Sequence, residues 1–169
     1  MSDYIEPIRK HLKVDQPRKR IGYDTLAMSP TDELGNTCLD VIVDLHSHHV
    51  QIYPRKTHQA EELARNLFSY YMTFGTYDQI ITDPGSDIMG KAVTQLNAWL
   101  GLEHLVSVVG RHESNGVEGT NKQIIRHIRT LVHDERISHK WGQPEVYKAV
   151  EHYVNKCDNS ESGAIPLQA

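Results

Sequence analysis

Gln79-Ile80-Ile81-Thr82-Asp83-Pro84-Gly85 is the stretch whose reading decides the fold. Its apolar, β-branched run ends in a Pro-Gly break, which predicts a short strand over 78–82. Helical patterns stand on both sides. Upstream, Ala60, Leu63, Ala64, Leu67, Phe68 and Tyr71 recur at the spacing of one helix face, with Thr57 as the expected N-cap and Gly75 as the stop. Downstream, 91–100 reads as a helix capped by Gly101, and 102–107 as another short strand. Further on, 117–135 reads as a long helix and 145–156 as a last one.

Before the first helix the period is that of strands. Arg20-Ile21-Gly22-Tyr23-Asp24 opens a strand over 20–26. Residues 37–45 are rich in Val, Ile and Leu and predict a buried strand, separated from the first by turn chemistry in 29–36. A third strand is expected over 49–53, ended by Pro54. Three antiparallel strands followed by strand–helix alternation predict an α/β fold, a five-stranded mixed sheet flanked by helices. Residues 1–17 read as an arm or linker, 18–157 as one domain, and 158–169 as a tail that frays.

A chain of 169 residues with 24% charged and 38% hydrophobic residues is a globular domain with a core of its own. No apolar run approaches the roughly 20 residues that span a bilayer, and the first residues do not have the pattern of a signal peptide. Membrane partners are therefore not expected, and an intracellular protein is. Cys38 and Cys157 form no metal-spaced pair and read as free thiols in a reducing compartment. The net charge of −4 gives no general attraction to nucleic acid. Residues 119–140 are different, with five Lys or Arg against two acidic residues.

Three carboxylates stand out. Asp24 and Asp83 end strands, and Glu118 opens the long helix, 35 positions after Asp83. Carboxylates brought close repel one another unless a cation lies between them, and oxygen donors suit hard divalent ions. Each has a plainer reading. Glu118 also fits the third helical position of a capping box with Asn115 as N-cap. Asp83 before Pro-Gly is an ordinary turn residue. Asp40 and Asp44 are rivals to Asp24, since Asp44 also ends a good strand. In His46-Ser47-His48-His49, alternate residues His46 and His48 could share an ion, but a polar hairpin turn is the expected reading.

The ordered pieces resemble the catalytic core of retroviral and long-terminal-repeat retrotransposon integrases, in the ribonuclease H-like superfamily. Ile21-Gly22-Tyr23-Asp24 is similar to the family's first strand with its first catalytic aspartate. Val41-Ile42-Val43-Asp44, with Ser47 after it, resembles the second strand, whose aspartate is structural. Thr82-Asp83-Pro84-Gly85-Ser86-Asp87 resembles the Ser/Thr-Asp-Asn-Gly-x-Glu motif, and Leu100-Gly101-Leu102 the Leu-Gly-Ile before the fifth strand. Ser114-Asn115-Gly116-Val117-Glu118, with Thr120-Asn121, resembles the Ser-Asn-Gly-x-x-Glu-Arg-x-Asn box. The resemblance covers about 18–135.

It implies a metal-dependent polynucleotidyl transferase that trims element DNA 3′ ends and joins them to target DNA. Asp24, Asp83 and Glu118 would be the catalytic carboxylates and would hold two Mg²⁺ or Mn²⁺ ions. Lys122, Asn121, Arg126 and Asn115 would contact DNA. On the long helix Glu118, Lys122, Arg126 and Arg129 share one face, while Val117, Ile124, Ile128 and Leu131 share the one expected to pack on the sheet. The bland reading of the basic row is a solvated face, with Glu118 and Lys122 as an i,i+4 pair. The implied partners are DNA and further copies of the chain, as a homodimer or higher oligomer; the implied location is nuclear in a eukaryotic host.

There are departures. Pro84 stands where the family has asparagine, Asp87 where glutamate is common, and Gly119 where arginine follows the glutamate. The loop over 108–116 lacks the family's Tyr-His-Pro-Gln stretch. Integrases usually carry zinc-binding and DNA-binding modules on either side of the core, and neither fits in 1–17 or 158–169. A diverged, non-catalytic DNA-binding or assembly module, or a ribonuclease H-like nuclease, is the alternative function.

Overall fold

The computed structural model describes residues 16–82, 90–106, 126–127, 130 and 138–156. Strands β1 (Arg20–Ala27), β2 (Cys38–Asp44) and β3 (Val50–Arg55) form the expected antiparallel meander. Helix α1 (Ala60–Phe74) then carries the chain back, and β4 (Gln79–Thr82) joins the sheet parallel to β1. Helix α2 (Lys91–Leu100) leads to β5 (Glu103–Val106), parallel to β4, and α3 (Pro144–Lys156) follows. The sheet order is β3-β2-β1-β4-β5. No helix among the described residues is long and apolar enough to cross a membrane.

Two boundaries differ from the sequence reading. The third strand continues through Pro54 to Arg55 instead of stopping at Pro54. β3 is an edge strand, where a missing N–H breaks no ladder bond. The N–H groups of Val50 and Ile52, at the same alternate positions as Pro54, point off the sheet to Asn155 Oδ1 (2.7 Å) and Glu151 Oε2 (2.8 Å). Helix α1 is capped at Gln59, not at Thr57. Thr57 Oγ1 instead accepts the Gln59 N–H, and the Glu62 carboxylate accepts the N–H groups of Lys56 and Thr57. Gly101 takes the left-handed conformation that ends α2, as its position suggests.

The strands bury both faces. Ile21, Tyr23, Ile42 and Ile80 pack under α1 and α2 with Leu63, Leu67, Tyr70, Val93 and Leu96. Leu26, Leu39, Val41, Val43, Val50 and Ile52 pack on the other face with Trp141 and with Val150 and Val154 of α3. Helix α3 also covers the open edge: Asn155 takes both the N–H and the carbonyl of Val50. An edge so covered cannot recruit another strand there.

A polar network is sealed under α1. Asp40 and Arg55 have wholly buried side chains, with Arg55 Nε 3.0 Å from Asp40 Oδ1. Tyr23 Oη (2.9 Å), Thr25 Oγ1 (3.3 Å) and Asn66 Nδ2 (2.7 Å) donate to the same carboxylate. Burial pushes Asp40 up from the usual carboxylate range, and the Arg55 guanidinium pulls it back. Cutting one partner strands the other in an apolar layer. Arg55→Leu should therefore lower stability by about 3–5 kcal/mol, read as a fall in the urea midpoint. Joint replacement with Asp40→Leu should recover much of that loss.

Candidate active site

Asp24 lies in β1, the central strand. Antiparallel pairing sets it opposite Val41, and parallel pairing sets its neighbour Tyr23 level with Thr82 of β4. Tyr23 points to the α1/α2 layer, so alternation turns Asp24 to the face that carries α3. It is half-buried there, and its Oδ1 accepts the N–H of Thr25 at 2.8 Å. A partly solvated carboxylate on the sheet's central strand can meet a ligand without breaking the core.

β4 ends, in the described residues, at Thr82, one position short of Asp24 in register. Asp83 and Glu118 lie outside the described residues, as do Asn115, Asn121 and Lys122, the alternative capping box, Pro84, Asp87 and Gly119. Of the long helix, Arg126, His127 and Thr130 are described and helical. Arg126 is exposed, as a phosphate-facing or solvated residue must be. The His127 ring meets the Tyr153 ring edge-on at 4.4 Å, so this part of the helix lies beside α3. Among the described residues no three His, Cys, Asp or Glu side chains form a cluster that could hold a metal.

The rivals to Asp24 are occupied otherwise. Asp40 is fully buried on the opposite face, in the Arg55 network. Asp44, 2% exposed, organises the turn from β2 to β3. Its carboxylate accepts Ser47 Oγ (2.8 Å), His46 N–H (3.1 Å) and Arg18 N–H (3.0 Å). The histidine run is thus a turn built around Asp44. His48 takes a positive φ, which breaks the strand alternation that would have set it beside His46. His49 packs its ring against Phe74 at 5.4 Å, and burial lowers its pKa.

One polar contact escaped the sequence reading. Thr82 Oγ1 and His104 Nε2 are 2.8 Å apart, joining β4 to β5 one residue before Asp83. His104 pairs with Ile80 in the ladder, so the contact runs diagonally across the strands. Burial lowers the pKa of His104 below the ordinary histidine value. Only strand alternation in the short fifth strand could have set His104 on a face, and no motif marks it.

Solved structures share this architecture. The HTLV-2 integrase catalytic core domain, determined in complex with magnesium in a trimeric form, superposes with a TM-score of 0.75 over 92% of this chain and 98% of that one, at 17% identity. The fold is that of a retroviral integrase catalytic core. The simian T-cell lymphotropic virus intasome, determined with the PP2A regulatory subunit B56 gamma, gives a TM-score of 0.77 over 90% of this integrase-like core and 54% of that chain, again at 17% identity. In sequence, the core is 27% identical over 132 residues to a retrovirus-related Pol polyprotein from transposon 412 of Drosophila melanogaster. That match covers 76% of this chain and 11% of the polyprotein. No protein-family model matches the chain.

Asp24, which lies inside β1 and not at its end as the sequence suggested, and Asp44, at the end of β2, should separate by their energetics. Asp44→Ala removes the acceptor of several buried donors and should cost about 1–3 kcal/mol. Asp24→Asn, half-exposed and nearly isosteric, should stay within about 0.5 kcal/mol of the parent. Equilibrium urea unfolding of both variants checks the contrast.

Proposed function

We propose that this chain is the catalytic core of a DNA integrase, a metal-dependent polynucleotidyl transferase that trims element DNA 3′ ends and joins them to target DNA. The observation that carries the reading is the half-buried Asp24 on the central strand of an integrase-fold sheet, one register position beyond Thr82, the last described residue of β4. Glu118 follows 35 positions later, at the start of a helical pattern. The donor chemistry fits a hard divalent ion, because all three groups are carboxylates and Asp24 is only half-buried. The relative determined with magnesium agrees with that choice of metal.

In this reading Asp24, Asp83 and Glu118 would hold two Mg²⁺ or Mn²⁺ ions. Bound metal neutralises charge on the phosphate and makes an oxygen nucleophile more acidic. A water or a DNA 3′-hydroxyl oxygen would attack phosphorus and give up its proton to solvent, while the bond to the opposite 3′-oxygen breaks and that oxygen takes up a proton to leave as a hydroxyl. The chain's own part is to hold the phosphodiester in line. Exposed Arg126, with Lys122, Asn121 and Asn115, would bind the DNA backbone and set its register. The trimeric form and the intasome of the structural neighbours support assembly into oligomers, and action on genomic DNA would put the protein in the nucleus of a eukaryotic host.

Disintegration of a branched DNA substrate with Mn²⁺ tests the proposal, since it makes the fewest demands on other domains. The parent chain should release the joined strand. Glu118→Gln and Asp24→Asn should each lower the rate about 100-fold or more. An inactive parent that also binds no Mn²⁺ by calorimetry would point instead to a non-catalytic DNA-binding or assembly module.

A further inference from the structure

We infer that two side chains of α3, Glu151 and Asn155, imitate a neighbouring strand and so keep the outer edge of β3 from pairing with β3 of a second copy of this chain.

β3 is the outermost strand on its side of the sheet, and Val50, Ile52 and Pro54 are the residues whose backbone groups face outward. Pro54 has no N–H. The other two outward N–H groups are both taken by α3. The Asn155 amide accepts the Val50 N–H at 2.7 Å and donates to the Val50 carbonyl at 2.9 Å. That two-way exchange is what a residue of an adjacent antiparallel strand makes at a hydrogen-bonded pair. Glu151 Oε2 accepts the Ile52 N–H at 2.8 Å, and Lys148 Nζ holds the same carboxylate at 3.0 Å and 3.2 Å. The spacings match: four helical residues rise about 6 Å, and two strand residues span about 6.8 Å. One turn of α3 thus serves two successive outward positions of β3. Burying an amide and a carboxylate costs solvation, which the bonds to the strand offset.

The covered edge is self-complementary. Two copies of β3 aligned antiparallel about Gln51 would set Val50 opposite Ile52 of the second copy, twice over. Both pairs would be hydrogen-bonded, with the two Gln51 residues at the closer, non-hydrogen-bonded position between them. An open edge invites such pairing. A second copy is therefore the occupant that loss of the imitation strand admits.

Sedimentation equilibrium of the full chain, with amide hydrogen exchange over a range of protein concentrations, tests the inference. Glu151→Ala with Asn155→Ala should tighten self-association about 10-fold or more over the parent, since several strand hydrogen bonds become available. The Val50 and Ile52 amides should then exchange fast in dilute samples and slowly in concentrated ones. A role confined to holding α3 in place leaves that exchange fast at every concentration. Adding Gln51→Lys sets like charges opposite each other and should return association to the parent level. Glu151→Gln keeps an acceptor for the Ile52 N–H and should associate like the parent. Thermal unfolding shows which variants are folded, and Asn155→Ala alone, which frees both groups of Val50, carries the same test if the double variant is not. Parent-level association by a folded variant lacking Asn155, or exchange at Val50 that does not depend on concentration, would overturn the inference.

Discussion

Everything in this molecule depends on β1 being paired along both edges. Antiparallel bonds to β2 and parallel bonds to β4 hold its pleat in register. A strand so held cannot slip by one residue without turning its apolar set toward the wrong layer. Ile21 and Tyr23 must face α1 and α2, and Leu26 must face Trp141 and α3. Asp24 sits between these demands and has one possible direction. Its place on the α3 face is a consequence of packing its neighbours, which is how an acidic group comes to stand on the central strand of a sheet.

The same alternation divides the acidic residues by role. On the α1 face Asp40 lies where no water reaches, so it is matched with Arg55 and three further donors. A buried ion pair of this kind specifies an arrangement more than it adds stability. Here it ties β1, β2, β3 and α1 together through Tyr23, Thr25, Asp40, Arg55 and Asn66. Asp44 is used up by its turn. Asp40 and Asp44 are thus built into the fold, while Asp24 stands half-buried on the other face of the sheet.

The strands and helices were legible because their signals are local. Period-two and helical spacing placed all five strands and the helices after β3, β4 and Gln143 to within a residue or two. The end of β3 was misread because a proline breaks a central strand but not an edge, and edge position is a property of the whole sheet. The N-cap was misread because Glu62 competes with Thr57 for the incoming N–H groups, a contact between a side chain and backbone five or six residues away. The candidate site was legible chiefly through the ordered integrase-like motifs, with spacing between carboxylates as support. The Asp40–Arg55 pair and the Thr82–His104 contact carry no motif. They depend on strand register, which brings together residues 15 and 22 positions apart.

The central claim is that Asp24 shares a divalent ion with Asp83 and Glu118. Crystals of the chain grown or soaked with Mn²⁺ and measured for anomalous scattering address it without reference to DNA or to other domains. The account predicts a peak about 2.1 Å from a carboxylate oxygen of Asp24, shared with Asp83 or Glu118. Anomalous density confined to the histidine turn at His46 and His48, or Glu118 closing its helix start with no ion beside Asp24, would contradict it.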